Sequence, residues 1–133
     1  MAASLPGLHG VANRPPRLDR AHYVGPGRYF VTTCTRNRRP VFKDSVIVGF
    51  ACDQLLRAGE EHRFAVLAYC FMPDHVHVLA EGQAPTSDLL RFVRAWKQRA
   101  AVRVRSAKGV ELWQEGFYDH VLRHEEDSLA VAA

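Results

Sequence analysis

Two consecutive apolar runs, separated only by a Pro-Asp pair, place the strongest constraint on how this chain folds. The runs are RFAVLAYCFM at residues 63–72 and HVHVLAEG at residues 75–82. A continuous apolar run rich in aromatic and β-branched residues is typical of a buried central strand. Proline and aspartate between two such runs indicate a tight turn, here at Met72, Pro73 and Asp74. The sequence therefore predicts a β-hairpin.

The segments on either side of the hairpin complete a recognisable order. Alternating aromatic and β-branched residues predict a strand at 29–35, and a helix with Asp44 as its N-cap and Gly59 at its end follows. A second helix is predicted at 86–106 and a short last strand within 109–124. The apolar face of the second helix carries Leu89, Phe92, Val93 and Trp96. The order predicts an α+β, ferredoxin-like split β-α-β-β-α-β fold, an antiparallel sheet with helices on one face.

The length of 133 residues predicts one domain. Residues 1–24, rich in Pro, Gly and Arg without periodicity, predict a flexible arm ahead of a domain at 25–133. The final EEDSLAVAA resembles the first turns of a helix. Three cysteines without a CxxC spacing argue against a disulfide framework. With no secretory signal and no membrane-spanning run, we expect a soluble, cytoplasmic protein without a membrane partner.

The charges are segregated along the sequence. Lys and Arg number 18 against 14 acidic residues, a net charge of +4, and most of the basic residues fall in two clusters. Such segregation favours a polyanionic partner, although charge alone leaves open that these are simply solvated faces. The candidate contacts to nucleic acid are Arg36, Arg38, Arg39, Arg94, Lys97 and Arg103.

His75 and His77 stand two residues apart in the second apolar run. Side chains on a strand alternate between faces, so both imidazoles point the same way, with Cα atoms about 7 Å apart. They can converge on one divalent ion, which needs a third group and water or a substrate oxygen. Such a site suits Mg²⁺ or Mn²⁺ better than structural zinc. The alternative is a pair of packed core histidines.

Three blocks of the sequence resemble one known family. CFMPDHVHVL at 70–79, YFVTTCTRNRRPVF at 29–42 and LWQEGFYDHVLRHEED at 112–127 occur in the order and spacing of the IS200-like transposases. They are most similar to the REP-associated tyrosine transposases, whose HUH-type motif lies on such a strand. The resemblance spans residues 28–127, and it is the combination of blocks that makes it specific.

The resemblance implies a chemistry. In the family, the two motif histidines and a third side chain hold a divalent ion on a DNA phosphate. A tyrosine attacks that phosphate, forming a 5′-phosphotyrosine and freeing a 3′-OH. Carried over to this sequence, His75 and His77 are the metal ligands and Mg²⁺ or Mn²⁺ is the cofactor. Single-stranded or hairpin DNA is the partner, and a homodimer that shares helices is possible.

The sequence departs from the family pattern at its end. The family's tyrosine, with a Gln or Asn four residues later, lies past the HEED block, and here neither follows Asp127. We therefore expect a copy truncated before the catalytic helix. Tyr118 is the candidate substitute nucleophile, or else a packing residue of the last strand, and His120, Asp119 or solvent is the candidate third ligand. Three hypotheses follow: a DNA-cleaving transposase, a DNA-binding remnant without cleavage, or a generic metal-dependent hydrolase.

Overall fold

The strands of this domain form one antiparallel sheet. The computed structural model describes residues 20–122. The elements are β1 (Arg28–Cys34), α1 (Ser45–Glu61), β2 (Phe64–Met72), β3 (His75–Gly82), α2 (Leu89–Lys108) and β4 (Tyr118–Leu122). The strand order is β2-β3-β1-β4, and every neighbouring pair is antiparallel. This is the ferredoxin-like arrangement, so the predicted fold class is confirmed.

The predicted hairpin is present. Met72 pairs with His75 at the turn and Phe64 with Gly82 at the far end, with a register shift between Val66 and Ala68. However, β2 is not the buried central strand that its apolar run suggested. Among the strands of residues 20–122 it lies at the edge of the sheet, and the strand between β2 and β1 is β3. Hydrophobicity alone does not distinguish a central strand from an apolar edge strand.

Both helices pack on the same face of the sheet. The predicted apolar face of α2 is buried against α1 and against alternate residues of β1 and β3, among them Tyr29, Val31, Val76 and Val78. The indole Nε1 of Trp96 donates to the carbonyl oxygen of Ala51 at 2.9 Å, which ties α2 to α1 at the centre of the core. Because both helices pack on this one core, the opposite face of the sheet is the one without helices.

The ends of the helices follow their local chemistry, with one exception. Asp44 caps α1 by accepting from the backbone N–H of Val46, and Gly109 ends α2 in the left-handed conformation at φ 67°. The predicted end of α1 at Gly59 is wrong, because the helix continues to Glu61. A Cβ at Gly59 would lie only 3.1 Å from the carbonyl oxygen of Phe64, so this glycine allows close packing of helix on strand.

The predicted N-terminal arm and the helical turns expected after residue 124 lie largely outside the described residues. Within them, Arg20–Tyr23 forms a short 3₁₀ turn and Tyr23 is 1% exposed. The packed part of the chain therefore includes Tyr23, which the sequence assigned to the arm. Neither helix of the described part is both long and apolar enough to cross a membrane.

The sheet face opposite the helices carries its own set of side chains, and we call it the distal face. Strand pairing places three pairs on it: Phe30 with Leu79, Thr32 with His77, and Cys34 with His75. Phe30 and Leu79 form a small buried cluster separate from the main core. Since residues alternate along β1, Tyr29, Val31 and Thr33 belong to the helix-covered face.

Two adjacent threonines test the assignment of alternate β1 residues to the two faces of the sheet. The buried hydroxyl of Thr33 has no hydrogen-bond partner within the described residues, and an unpaired buried hydroxyl costs about 1–3 kcal/mol. We expect Thr33→Val to raise the free energy of unfolding by about 1 kcal/mol in urea titrations. Thr32→Val, which removes a hydrogen bond to His77, should lower it by about the same amount. Equal destabilisation by both variants would contradict the assignment.

Candidate metal centre and nucleic-acid interface

The two histidines of β3 lie side by side on the distal face. Their ring centroids are 4.8 Å apart, with the rings at 77° to each other. His75 is the first residue of β3, directly after the Pro73-Asp74 turn, so the turn and the strand period together determine where both imidazoles lie. The structure thus brings together the two residues that the sequence selected as metal ligands.

One nitrogen of each ring is held by a protein oxygen. Nδ1 of His75 lies 2.7 Å from Oδ1 of Asp74, and Nδ1 of His77 lies 2.9 Å from the hydroxyl of Thr32. A carboxylate only accepts, so Nδ1 of His75 is the donor, and in the neutral ring Nε2 then carries the lone pair. The Thr32 hydroxyl can donate or accept, and the Nδ1–H form of His77 likewise leaves Nε2 for a metal.

His77 remains a neutral imidazole at physiological pH. Its partial burial in the sheet lowers its pKa from 6.5 to about 4, and electrostatic repulsion from the adjacent His75 ring acts in the same direction. Its ring also stacks on Phe30 with centroids 5.4 Å apart. A neutral ring is the form that coordinates a metal, so the environment of His77 is compatible with ligation.

The donor set of the described residues is incomplete for a metal. Among residues 21–117, whose side chains the structure describes, there is no group of three or more His, Cys, Asp or Glu that could hold one ion. His75 and His77 fit as two nitrogen ligands with anchored rings. Mg²⁺ prefers oxygen ligands, so Mn²⁺ is the better match of the two predicted ions.

Strand register connects Tyr118 to this pair. Tyr118 is the register partner of Thr32, and Thr32 is the partner of His77, so the three residues form one row across β4, β1 and β3. Two interstrand spacings separate the backbones of Tyr118 and His77 by about 10 Å. His120 is the register partner of Phe30. Sequence alone could not give this row, because it depends on which strands are neighbours.

The basic turn at residues 36–39 is fixed tightly beside the histidines. The Thr35 hydroxyl donates toward the carbonyl oxygens of Arg39 (2.7 Å) and Asp74 (3.1 Å). Asn37 and Arg38 both have φ 54°, an unfavourable region for residues with a side chain. Backbone held in this way persists only where surrounding contacts enforce it.

The basic residues that the sequence predicts to contact nucleic acid lie at different places on the domain. Arg36, Arg94 and Lys97 line a groove of about 830 Å³ between α2, the basic turn and residues 113–117. The Lys97 ammonium donates to the carbonyl oxygens of Gln114 and Gly116, so it also holds the wall of the groove. Arg103 lies elsewhere, with its guanidinium 4.7 Å from the ring centroid of Phe50 on α1.

Sequence reasoning missed the role of Asp74. Its Oδ2 accepts from Nε of Arg38 at 2.9 Å, while its Oδ1 lies against His75. Burial by itself raises the pKa of Asp74, but hydrogen bonds from His75 and Arg38 outweigh it and hold that pKa below its usual value. The sequence did offer a signal for this role, because Asp74 directly precedes a candidate metal ligand and the chain also contains an arginine-rich turn.

These features define a class of protein: a ferredoxin-like domain with two anchored imidazoles on the sheet face opposite its helices. Residues 25–128 match the family model described as transposase, IS200 like. The match covers most of the sequence, so the chain belongs to the IS200-like transposase family, as the sequence blocks predicted.

Two solved structures share the fold. One is a REP-associated tyrosine transposase bound to a REP hairpin, which superposes with a TM-score of 0.66 at 21% sequence identity. The match covers 84% of this chain and 62% of that protein's chain. A candidate transposase from Deinococcus radiodurans R1 gives a TM-score of 0.64 at 25% identity, over 83% of this chain and 87% of that one. No match was found among curated proteins.

Proposed function

We propose that this chain binds single-stranded or hairpin DNA and, with Mn²⁺ or Mg²⁺, cleaves and transfers a DNA strand through a phosphotyrosine intermediate. The observation that carries the proposal is the pair of neighbouring imidazoles with anchored Nδ1 atoms, in a domain of the IS200-like family. The structural neighbour bound to a REP hairpin supports hairpin DNA as the ligand.

Two histidines and one tyrosine have separate roles in the proposed reaction. His75 and His77 would hold the ion, which supplies positive charge to the non-bridging oxygens of the scissile phosphate. The proposed nucleophile is Tyr118, since its register row includes His77. Attack by its phenolic oxygen forms a Tyr–O–P bond and breaks the P–O3′ bond, and the departing oxygen takes a proton to become the 3′-OH.

A second candidate function is DNA binding without cleavage. The groove lined by Arg36 and Arg94 is bordered by α2, on the helix-covered side of the sheet, whereas the imidazoles lie on the distal face. Binding through the groove would therefore need neither histidine. In both functions the chain would act in the cytoplasm, where its three free cysteines, Cys34, Cys52 and Cys70, would remain reduced.

The test of cleavage is a covalent protein–DNA adduct. Labelled hairpin DNA with a single-stranded flank is incubated with the protein and Mn²⁺, and the products are separated on a denaturing gel. We expect an adduct that requires the ion and is lost in His75→Ala and in Tyr118→Phe. Tyr69→Phe is the matched control, because Tyr69 is also a strand tyrosine but belongs to the helix-covered face.

The outcomes separate the two functions. An adduct that persists in Tyr118→Phe would remove Tyr118 as nucleophile while leaving cleavage in place. No adduct with any variant, together with a retained mobility shift of the DNA, would select binding without cleavage.

Charge reversal tests the DNA-binding surface. Arg39 on the basic turn and Arg94 in the groove are exposed. We expect Arg39→Glu combined with Arg94→Glu to weaken single-stranded DNA binding at least about tenfold and to reduce the salt slope by about 0.7 per phosphate contact. Arg57→Glu, the same charge change on α1, should leave affinity nearly unchanged. Equal affinities of all three proteins in fluorescence anisotropy would exclude the turn and groove.

The exposed edge of the sheet supports a homodimer. β2 has nine residues without a charge, and Leu67 on it is 45% exposed. Such an edge pairs readily with another strand, and a second copy presents the same edge. We expect the protein to sediment as a dimer and Leu67→Lys to convert it to a monomer. Val102→Lys, at an exposed valine of α2, should remain dimeric. A monomeric wild-type protein would contradict the proposal.

A further inference from the structure

We propose that Asp74 is a positioning residue that fixes His75 in the tautomer able to bind a metal through Nε2, and that Arg38 holds the Asp74 carboxylate in that pose. This inference rests on the proposed function of His75 as a metal ligand. It gives a defined role to two residues outside the ligand pair, one of which the sequence marked only as a DNA contact.

The geometry is a continuous hydrogen-bonded chain across three side chains. Nε of Arg38 donates to Oδ2 of Asp74 at 2.9 Å, and Nδ1 of His75 donates to Oδ1 of the same carboxylate at 2.7 Å. Each carboxylate oxygen thus has its own charged or polar donor. With both oxygens engaged, rotation of the carboxylate would break two hydrogen bonds at once.

The carboxylate determines which ring nitrogen of His75 carries hydrogen. An ionised carboxylate has no proton to donate, so of the two neutral tautomers of His75 only the Nδ1–H form makes this bond, and Nε2 is then the lone-pair nitrogen. His77 differs, since its Nδ1 faces the neutral hydroxyl of Thr32.

The backbone of Asp74 is held as firmly as its side chain. Its carbonyl oxygen accepts from the backbone N–H of Thr35 at 3.0 Å and from the Thr35 hydroxyl at 3.1 Å. Thr35 leads directly into the turn in which Arg38 sits with φ 54°. The turn that presents Arg38 and the turn that presents His75 are therefore joined by both main-chain and side-chain bonds.

The first measurement is on the protein without metal. Nitrogen-15 NMR of the imidazole ring reports the His75 tautomer directly. We expect the wild type to show Nδ1–H and Asp74→Ala to show a mixture of both tautomers, while Arg38→Ala should produce a smaller change. Glu81→Ala is the matched control, because Glu81 accepts from Nε of Arg28 at 2.9 Å at the other end of the same two strands.

The second measurement is Mn²⁺ affinity by titration calorimetry. Loss of such a partner of a ligating histidine typically weakens metal binding 10–100-fold, so we expect at least a tenfold loss in Asp74→Ala. Asp74→Asn keeps the side-chain shape and one acceptor oxygen, and it should lose less. Glu81→Ala should bind like the wild type.

The two readouts separate this inference from the proposed function. Nδ1–H retained at full occupancy in Asp74→Ala and in Asp74→Asn would overturn the positioning role. Wild-type affinity for Mn²⁺ in both variants would also overturn it. A wild type that binds no Mn²⁺ but loses its Nδ1–H tautomer in Asp74→Ala would overturn the metal function alone and still support the role of Asp74 on the ring.

Discussion

The pairing of β3 between β1 and β2 is the constraint on which the candidate site depends. In this register Thr32 lies opposite His77 and Cys34 opposite His75. A slip of one residue would move both imidazoles to the helix-covered face and bring Val76 and Val78 out of the core. Because those valines are almost fully buried, the hydrophobic core enforces the register and thereby the position of the histidines.

Much of the fold could be predicted from the sequence because the local preferences of the chain agree with its tertiary structure. The Pro-Asp turn, the cap at Asp44 and the apolar face of α2 each predicted an element that is present. The shared face of His75 and His77 follows from the strand period alone. The errors arose where tertiary packing decides: Gly59 permits a close helix–strand contact, and the apolar run of β2 lies at an edge.

The site was less predictable than the fold because its geometry is non-local. The row from Tyr118 through Thr32 to His77 spans three strands that are far apart in sequence. The hydrogen bonds from Lys97 to the carbonyl oxygens of Gln114 and Gly116 likewise cannot be predicted from the pattern of charges along the sequence. A lysine that reads as a phosphate contact from sequence thus also contributes to the structure of the groove.

The strained conformation of the basic turn connects the two halves of the proposed mechanism. Two successive residues with positive φ cost of order 1–3 kcal/mol each, and they persist because bonds from Thr35 and Asp74 enforce them. Those bonds involve the residue that orients His75. A strand of DNA that displaced the turn would therefore disturb the His75 ring, whereas one that fitted the turn as it stands would leave the ligand in place. In the proposed mechanism, recognition of DNA and orientation of the metal ligand therefore depend on the same structural unit.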